Sequence, residues 1–425
     1  MFTNDFFYSL QNTKFGLLRL PDDVLIIILS YLDLRTQLKL KHLHLRFKRL
    51  MPHVWRSYNK SALISLIEMQ LSDKDLRFFL ESTQQTLSTL RFKMNKRSNF
   101  ELLTSYSFPN LKDFRFSTHS FTLNDADLPK MLKTFPNLTT FSPHGKFTGK
   151  TFEEFVFLEH LTVSYCSKLE VTNLIQILKT RNIKSLKLGI FDFNQISNIK
   201  LPWEGIRNLE FLQCYREEML MWFLPKLEHL THLKKLFLCG HVSYSDLRQM
   251  LLSAKKPTID MIEVNQFTSL NDETRGLNLT VKILKVSNYG MSACAHISIN
   301  VKELYMRNSV CVYEWEFDAL IQNLKTHETL GLSRCTFGFK EFTFDAEKLA
   351  ENRTTILNIY VDQNRCRPNI VTYSRYISPH DDVPMIWRVQ GEHRLFKLHF
   401  EHPKITFNSD PISIYFDSSA NDLVG

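Results

Sequence analysis

The side chains best suited to ligate a metal or attack a substrate are fifteen histidines and seven cysteines, and their spacing brings few of them together. Cys166, Cys214, Cys239, Cys294, Cys311, Cys335 and Cys366 are an odd number with no C-x-x-C pair. Neither a zinc ribbon nor a disulfide framework is predicted, because both need sulfurs that converge. His42 and His44 fall on different faces of a helix and lack the i, i+4 spacing of a helical metal site. His380-Asp381-Asp382 sets two carboxylates beside an imidazole, but in a stretch rich in Pro, His and charge, where it reads as a solvated turn. The glycine-rich nucleotide loops, H-E-x-x-H and G-x-S-x-G are absent. The expectation is a non-enzyme that needs no cofactor and no metal.

What the chain does repeat is an apolar pattern that makes surfaces. Apolar–polar–apolar cores recur from residue 87: Leu87-Ser-Thr-Leu90-Arg-Phe92, Leu111-Lys-Asp-Phe114-Arg-Phe116, Leu158-Glu-His-Leu161-Thr-Val163 and Ile183-Lys-Ser-Leu186-Lys-Leu188. Further copies begin at Leu233, Val281 and Val301, and weaker ones at Leu138, Leu209, Ile259, His327 and Thr354. The starts lie 20 to 27 residues apart, a period near 25. Between them run helical patterns at Ser72 to Glu81, Val171 to Thr180, Tyr244 to Ala254 and Phe317 to Thr326. One strand and one helix per period cannot bury its apolar face alone, so the units must stack. Cys166 and Cys335 each fall eight positions after a repeat start, where Asn95 stands in the first copy; a structural part inside the turn is expected of both.

The first sixty residues differ. Ten Lys or Arg stand there against four acids, which is +6 of the chain's +9. Pro21 suits a first helical turn, with Asp22 and Asp23 at its positive end. Val24, Leu25, Ile28, Leu29 and Leu32 then form one stripe. Asp33 is the predicted cap of a second helix carrying Leu40, Leu43, Phe47 and Leu50, with Lys41, His42, His44, Arg46 and Lys48 on its other faces. So small a module leaves apolar surface for a partner to cover.

The run Leu20-Pro21-Asp22-Asp23-Val24-Leu25-Ile26-Ile27-Ile28-Leu29-Ser30-Tyr31-Leu32-Asp33 resembles the F-box motif without gaps. Leu40, Leu43, Phe47, Leu50 and Trp55 continue it, with Gln37 where Leu is usual and Phe47 where Trp is usual. With the repeats, the chain is similar to F-box proteins with leucine-rich repeats. That resemblance implies an α/β fold: a small all-helical F-box module, then a curved leucine-rich-repeat solenoid with a parallel sheet on its concave face and a C-terminal β cap. The expected boundaries are a tail over 1–15, the F-box over 16–60, the solenoid over 61–362, and loop, cap and tail over 363–425. Hairpin strands are predicted at Met385–Val389 and Arg394–Phe400, and one more strand at Ile412 to Phe416.

The resemblance also implies partners. A Skp-type adaptor, generally acidic, would bind Leu20, Pro21, Val24, Leu25, Ile28, Leu29, Leu32, Leu40, Leu43 and Phe47, and through it a cullin scaffold. The chain would then be the substrate receptor of a ubiquitin ligase, and other subunits would transfer ubiquitin. Its target would meet the concave side, where the repeat offsets place Arg91, Lys93, Asp113, Arg115 and Lys187, and later Phe211, Tyr215, Phe237, Tyr305, Arg307 and Tyr360. A repeat scaffold acting outside any ligase is the alternative. Nucleic-acid binding ranks last, because charges alternate in sign along most repeats. With no paired cysteines and no apolar run of membrane length, a cytoplasmic or nuclear, membrane-free protein is expected.

Overall fold

Each apolar–polar–apolar core becomes a strand because alternate residues face opposite sides of a pleated chain. The computed structural model describes residues 17–58, 60–65, 71–189, 203–215, 222–223, 230–243, 259–268, 280–287, 300–324, 327–339, 353, 355–362, 364–366 and 405–408. Within them the chain is α/β, with a helical N-terminal region followed by a large parallel sheet. The backbone divides into two compact units, residues 1–198 and 199–425. The helices expected at Tyr244 to Ala254, the hairpin at Met385–Val389 and Arg394–Phe400 and the strand at Ile412 to Phe416 lie outside the described residues.

The first unit opens with α1 (Asp22–Ser30), α2 (Leu34–Leu43) and α3 (Leu45–Tyr58). Strands β1 (Ser61–Ser65), β2 (Thr89–Met94), β3 (Asp113–Thr118), β4 (Thr140–Ser142), β5 (His160–Thr162) and β6 (Ser185–Leu188) then pair in chain order, all parallel. Helices α4 (Asp73–Thr83), α5 (Arg97–Thr104), α6 (Leu128–Thr134) and α7 (Val171–Thr180) lie between successive strands. Ser72 caps α4 by accepting from the Asp75 N–H at 3.1 Å.

The second unit holds β7 (Phe211–Cys214), β8 (Lys235–Ser243), β9 (Ile259–Thr268), β10 (Thr280–Ser287), β11 (Asn300–Arg307), β12 (Thr329–Ser333), β13 (Leu357–Asp362) and β14 (Ile405–Asn408), again parallel in chain order. Helix α8 (Glu314–Asn323) begins three residues before the Phe317 expected from its apolar spacing, because the Glu316 carboxylate accepts the Tyr313 N–H at 3.1 Å and caps the turn.

All twelve expected cores are strands. Two further strands extend the pattern: β1 before the first core, and β14 where Ile405-Thr406-Phe407 repeats the alternation after the last. The main-chain bonding recurs as well. The carbonyl of Lys60 accepts the N–H groups of both Ser88 and Thr89; Ser88 does the same for Lys112 and Asp113, and Lys112 for Thr139 and Thr140. Thr139, Glu159 and Glu210 repeat the arrangement.

Phenylalanine fills the layer behind the first unit's sheet. Phe114 stacks on Phe135 at 4.4 Å and on Phe116 at 5.2 Å, and Phe141 meets Phe155 at 4.8 Å and Phe152 at 5.4 Å. Each such ring taken from water contributes ~1.5–3 kcal/mol, and Phe116 lies 6.4 Å from Phe141, so these rings tie β3 to β4.

Candidate functional site

In the N-terminal module, α1 separates its apolar residues onto two sides. Leu25 and Leu29 point inward and are fully buried, as are Phe47, Leu50, Val54 and Trp55 from α3. Val24, Ile27 and Tyr31, spaced three and four residues apart, form a second stripe that stays in water, with Tyr31 85% exposed. Pro21 is exposed at the head of the stripe; Ile28, Leu20 and Leu32 are half-buried. Leu43 and Leu45 add exposed apolar surface at the junction of α2 and α3.

Burial divides the expected contact set in two. Leu25, Leu29, Leu40 and Phe47 hold the module together from inside, whereas Pro21, Val24 and Leu43 are available on its surface. Ile27, Tyr31 and Leu45 belong to the surface and were missed by the reading of a single stripe. The helix expected across Leu40 to Leu50 is two helices. His44 is extended (φ −153°, ψ 139°), and its Nδ1 accepts the Arg46 N–H at 3.1 Å, so the residue ends α2 and caps α3. Asp33 caps α2 as expected, accepting from the Thr36 N–H at 2.9 Å and its hydroxyl at 2.8 Å; these bonds hold its carboxyl below the usual range.

Two of the expected outward-facing bases are structural. Arg46 donates to Asp22 at 2.8 Å, to the Leu20 carbonyl at 2.6 Å and to the Leu18 carbonyl, fastening the segment before α1 onto α3. That guanidinium lowers the Asp22 carboxyl. Lys41 is buried, pairs with Asp75 of α4 and lies over the Phe78 ring at 4.8 Å. Burial pulls the Asp75 carboxyl upward, but bonds from Lys41, the Ser72 hydroxyl and His42 outweigh it and leave it below its ordinary value. Lys39, His42, Lys48 and Arg49 remain on the exterior.

Gln37 stands in an apolar slot and is fully buried, yet it is satisfied. Its amide donates to the carbonyls of Leu29 and Leu32, each at 2.9 Å, and its oxygen accepts the Trp55 indole N–H at 2.8 Å. Trp55 packs edge-on against Phe79 and Phe78 of α4, at 5.1 and 5.5 Å. The module is therefore locked to the first repeat by a ring contact and a buried ion pair.

The repeat strands carry the second candidate surface, one in each unit. In the first unit the parallel register sets Arg91 beside Arg115 and leads through β4 and β5 to Lys187; Lys93 lies two residues beyond Arg91. All four are partly exposed. Here the structure brings the expected basic residues onto one face.

In the second unit one row reads Gln213, Phe237, Glu263, Lys285, Tyr305, Gly331, Tyr360. Phe237 and Tyr305 sit on the predicted face, but two charged residues separate them, and Phe211 lies one row back beside Lys235. Of the expected cluster of Phe211, Tyr215, Phe237 and Tyr305, the register thus sets Phe237 and Tyr305 on strands separated by two others. Both Phe237 and Tyr305 are buried, the latter at 3% exposure, packed against Ile283 and Tyr360 with its hydroxyl donating to Glu303 at 2.9 Å. Neighbouring strands stand only ~4.8 Å apart, so large side chains on adjacent strands cover one another. Gly331 admits the Tyr305 ring, since a Cβ there would collide with it. Phe211 and Arg307 are half-buried on their strands, and Tyr215 is half-buried just after β7.

Cys166 and Cys335 take structural places. Cys166 donates to the Pro143 carbonyl and Cys335 to those of Met306 and Ser333, each at 3.5 Å. Burial pushes the Cys335 thiol up to about 12 and raises Cys166 still further, so neither is a thiolate at neutral pH. His327 is buried, with its Nδ1 lacking a hydrogen-bond partner, and burial followed by the nearby Arg353 charge lowers it to about 4. Among the described residues no group of three His, Cys, Asp or Glu could hold a metal, and no helix is long and apolar enough to cross a membrane. His380, Asp381 and Asp382 lie outside them. Compared with known proteins, the chain matches no family model and no curated protein.

Proposed function

We propose that this chain is the substrate-recognition subunit of an SCF-type cullin ubiquitin ligase, with its N-terminal helices as an F-box and its strands as a curved leucine-rich-repeat solenoid. The module docks a Skp-type adaptor and thereby a cullin, and the sheet face carries a target protein. The chain itself performs no bond chemistry. It raises the concentration of target lysines near the conjugating enzyme.

One observation carries the reading. The Leu20-Pro21 opening leads into a helix whose inner stripe completes its own module while the outer stripe of Val24, Ile27 and Tyr31 stays in water. A monomer gains nothing by exposing these groups, and a partner helix laid on them would bury ~1.5–3 kcal/mol per side chain.

The test is a pull-down of Skp-type adaptor and cullin by the full chain and by Val24→Glu/Ile27→Glu. Both positions are exposed, so the fold should survive, as circular dichroism would verify. Adaptor affinity should drop at least about a hundredfold. Equal recovery of adaptor by both chains overturns the assignment.

A further inference from the structure

Two large rings of the second unit stand together in water. Tyr313 and Trp315 lie where the turn after β11 enters α8, 47% and 56% exposed. Their ring centroids are 6.3 Å apart and their planes 13° from parallel. Among the described residues, this is the one ring contact whose two members are both exposed. Val310, also exposed, adds apolar surface at the same turn. The turn itself is firmly held. Gly338 donates its N–H to the Cys311 carbonyl at 2.7 Å, and Thr336 donates to Ser309 at 2.8 Å. The Glu316 carboxylate accepts from the Val312 and Tyr313 N–H groups at 3.0 and 3.1 Å, and the Cys311 thiol donates to the Tyr313 carbonyl at 3.3 Å. A Cβ at Gly338 would collide with the Val312 carbonyl, so the main chain of the next turn lies directly against this one. The backbone under the rings is thus fixed before any partner arrives, which lowers the cost of binding. Charge indicates what they meet. Glu314 stands between the two rings in sequence and is exposed, and Asp318 is half-buried one turn further along α8, on the same side as Glu314 and Trp315. Like charges four residues apart weaken a helix. Asp318 accepts from the Gln322 amide at 2.8 Å, and among the described residues no Lys or Arg pairs with either carboxylate.

We propose that this surface binds an arginine side chain of a partner protein, its guanidinium laid on the Tyr313 and Trp315 rings and donating to Glu314 and Asp318. The inference is independent of the ligase reading and sets a recognition point off the sheet, at the start of α8. Three reasons support it. A guanidinium is flat, stacks on aromatic faces and offers a fork of N–H donors to carboxylates beside them. Near-parallel rings present one flat face, whereas a methylated ammonium is round and is held by rings that wall it in. Open surface leaves a free small molecule mostly in water, but an arginine anchored in a chain also lays its apolar stem along Val310.

The probe is the capped peptide Gly-Ser-Arg-Ser-Gly, beside analogues carrying citrulline or trimethyllysine in place of Arg, and free arginine. The full chain, fluorinated at its tryptophans, is titrated and followed by fluorine NMR, with the Trp315 signal identified by its loss in Trp315→Phe. The arginine peptide should shift that signal saturably. The citrulline peptide, which keeps the shape and loses the charge, and the trimethyllysine peptide should each bind at least about fivefold more weakly, and free arginine about threefold more weakly. Glu314→Gln/Asp318→Asn should weaken the arginine peptide about tenfold and Tyr313→Ala about fivefold. Tyr58→Ala, at an exposed ring of the N-terminal module, should leave it within about twofold. None of these side chains is buried, so the melting curves should match wild type. An unmoved Trp315 signal, equal binding of the citrulline peptide, or no loss in either variant of the site overturns the proposal. Tighter binding of trimethyllysine would put an ammonium in place of the guanidinium, and free arginine binding as tightly as the peptide would put a small molecule in place of the partner; each overturns it as well.

Discussion

Tyr305 shows what alternation can and cannot tell. The spacing of Leu304 and Met306 assigns it to the outward face, and the register agrees. Alternation carries no information about what stands on the neighbouring strands, and there Tyr360 and Ile283 cover it while Gly331 makes room. Tyr305→Ala should therefore lower stability by about 3–5 kcal/mol, as for other buried rings, rather than act only on partner binding. Urea denaturation of the full chain measures it; an unchanged midpoint would place the ring at the surface. Gln37 was obscure for a related reason. Its type looks wrong for an apolar slot because its partner, Trp55, lies 18 residues away and the carbonyls it satisfies belong to α1. Cys166 and Cys335 were readable, since a fixed offset within the period assigns them to the turn without any knowledge of their neighbours.

Periodic segments could be recognised as helices and strands, but their junctions could not. The α7 helix runs over the span its apolar spacing predicts, Val171–Thr180. The single helix read across Leu40 to Leu50 breaks at His44, because a histidine ring that caps the next turn gives no signal in hydrophobic periodicity. The tie between α2 and α4 was equally hidden: Lys41 reads as one more surface base until Asp75 is folded against it. Removing one member of such a buried pair costs about 3 kcal/mol or more, so Asp75→Asn should destabilise the first unit by that order. The folded Asp75 carboxyl is held below its ordinary 3.8, so its contribution is present above that value and is lost as pH falls through the lower folded pKa. Wild type and variant should thus differ most near pH 7 and converge below about pH 4. Denaturation curves at pH 7 and pH 3 check this, and a constant gap between them would count against the pair.

Across the chain, the period near 25 predicted the parallel strands, while the two units and the burial of the second sheet face came only with the structure. Strand β14 also escaped the reading, its three-residue alternation being too brief to stand out from the segment before it. It pairs with β13 from Leu357 to Tyr360, covering main-chain groups that would otherwise form an open edge. A chain ending at residue 400 should therefore self-associate. Size-exclusion chromatography at rising concentration would reveal it, and a monodisperse truncated chain would show that β13 needs no cover.

The shared carbonyls at Lys60, Ser88, Lys112, Thr139, Glu159 and Glu210 have a bearing on inheritance. Six strands are each seated by two successive amides at their start on the main chain just before the preceding strand, so their position is specified without reference to side-chain identity. The segment between two strands can then lengthen or shorten by several residues, as the intervals of 20 to 27 record, and the next strand still lands in register. Substitutions are free to accumulate wherever an apolar residue of similar size remains. Repeats of little sequence likeness can in this way share one ladder of amides and carbonyls.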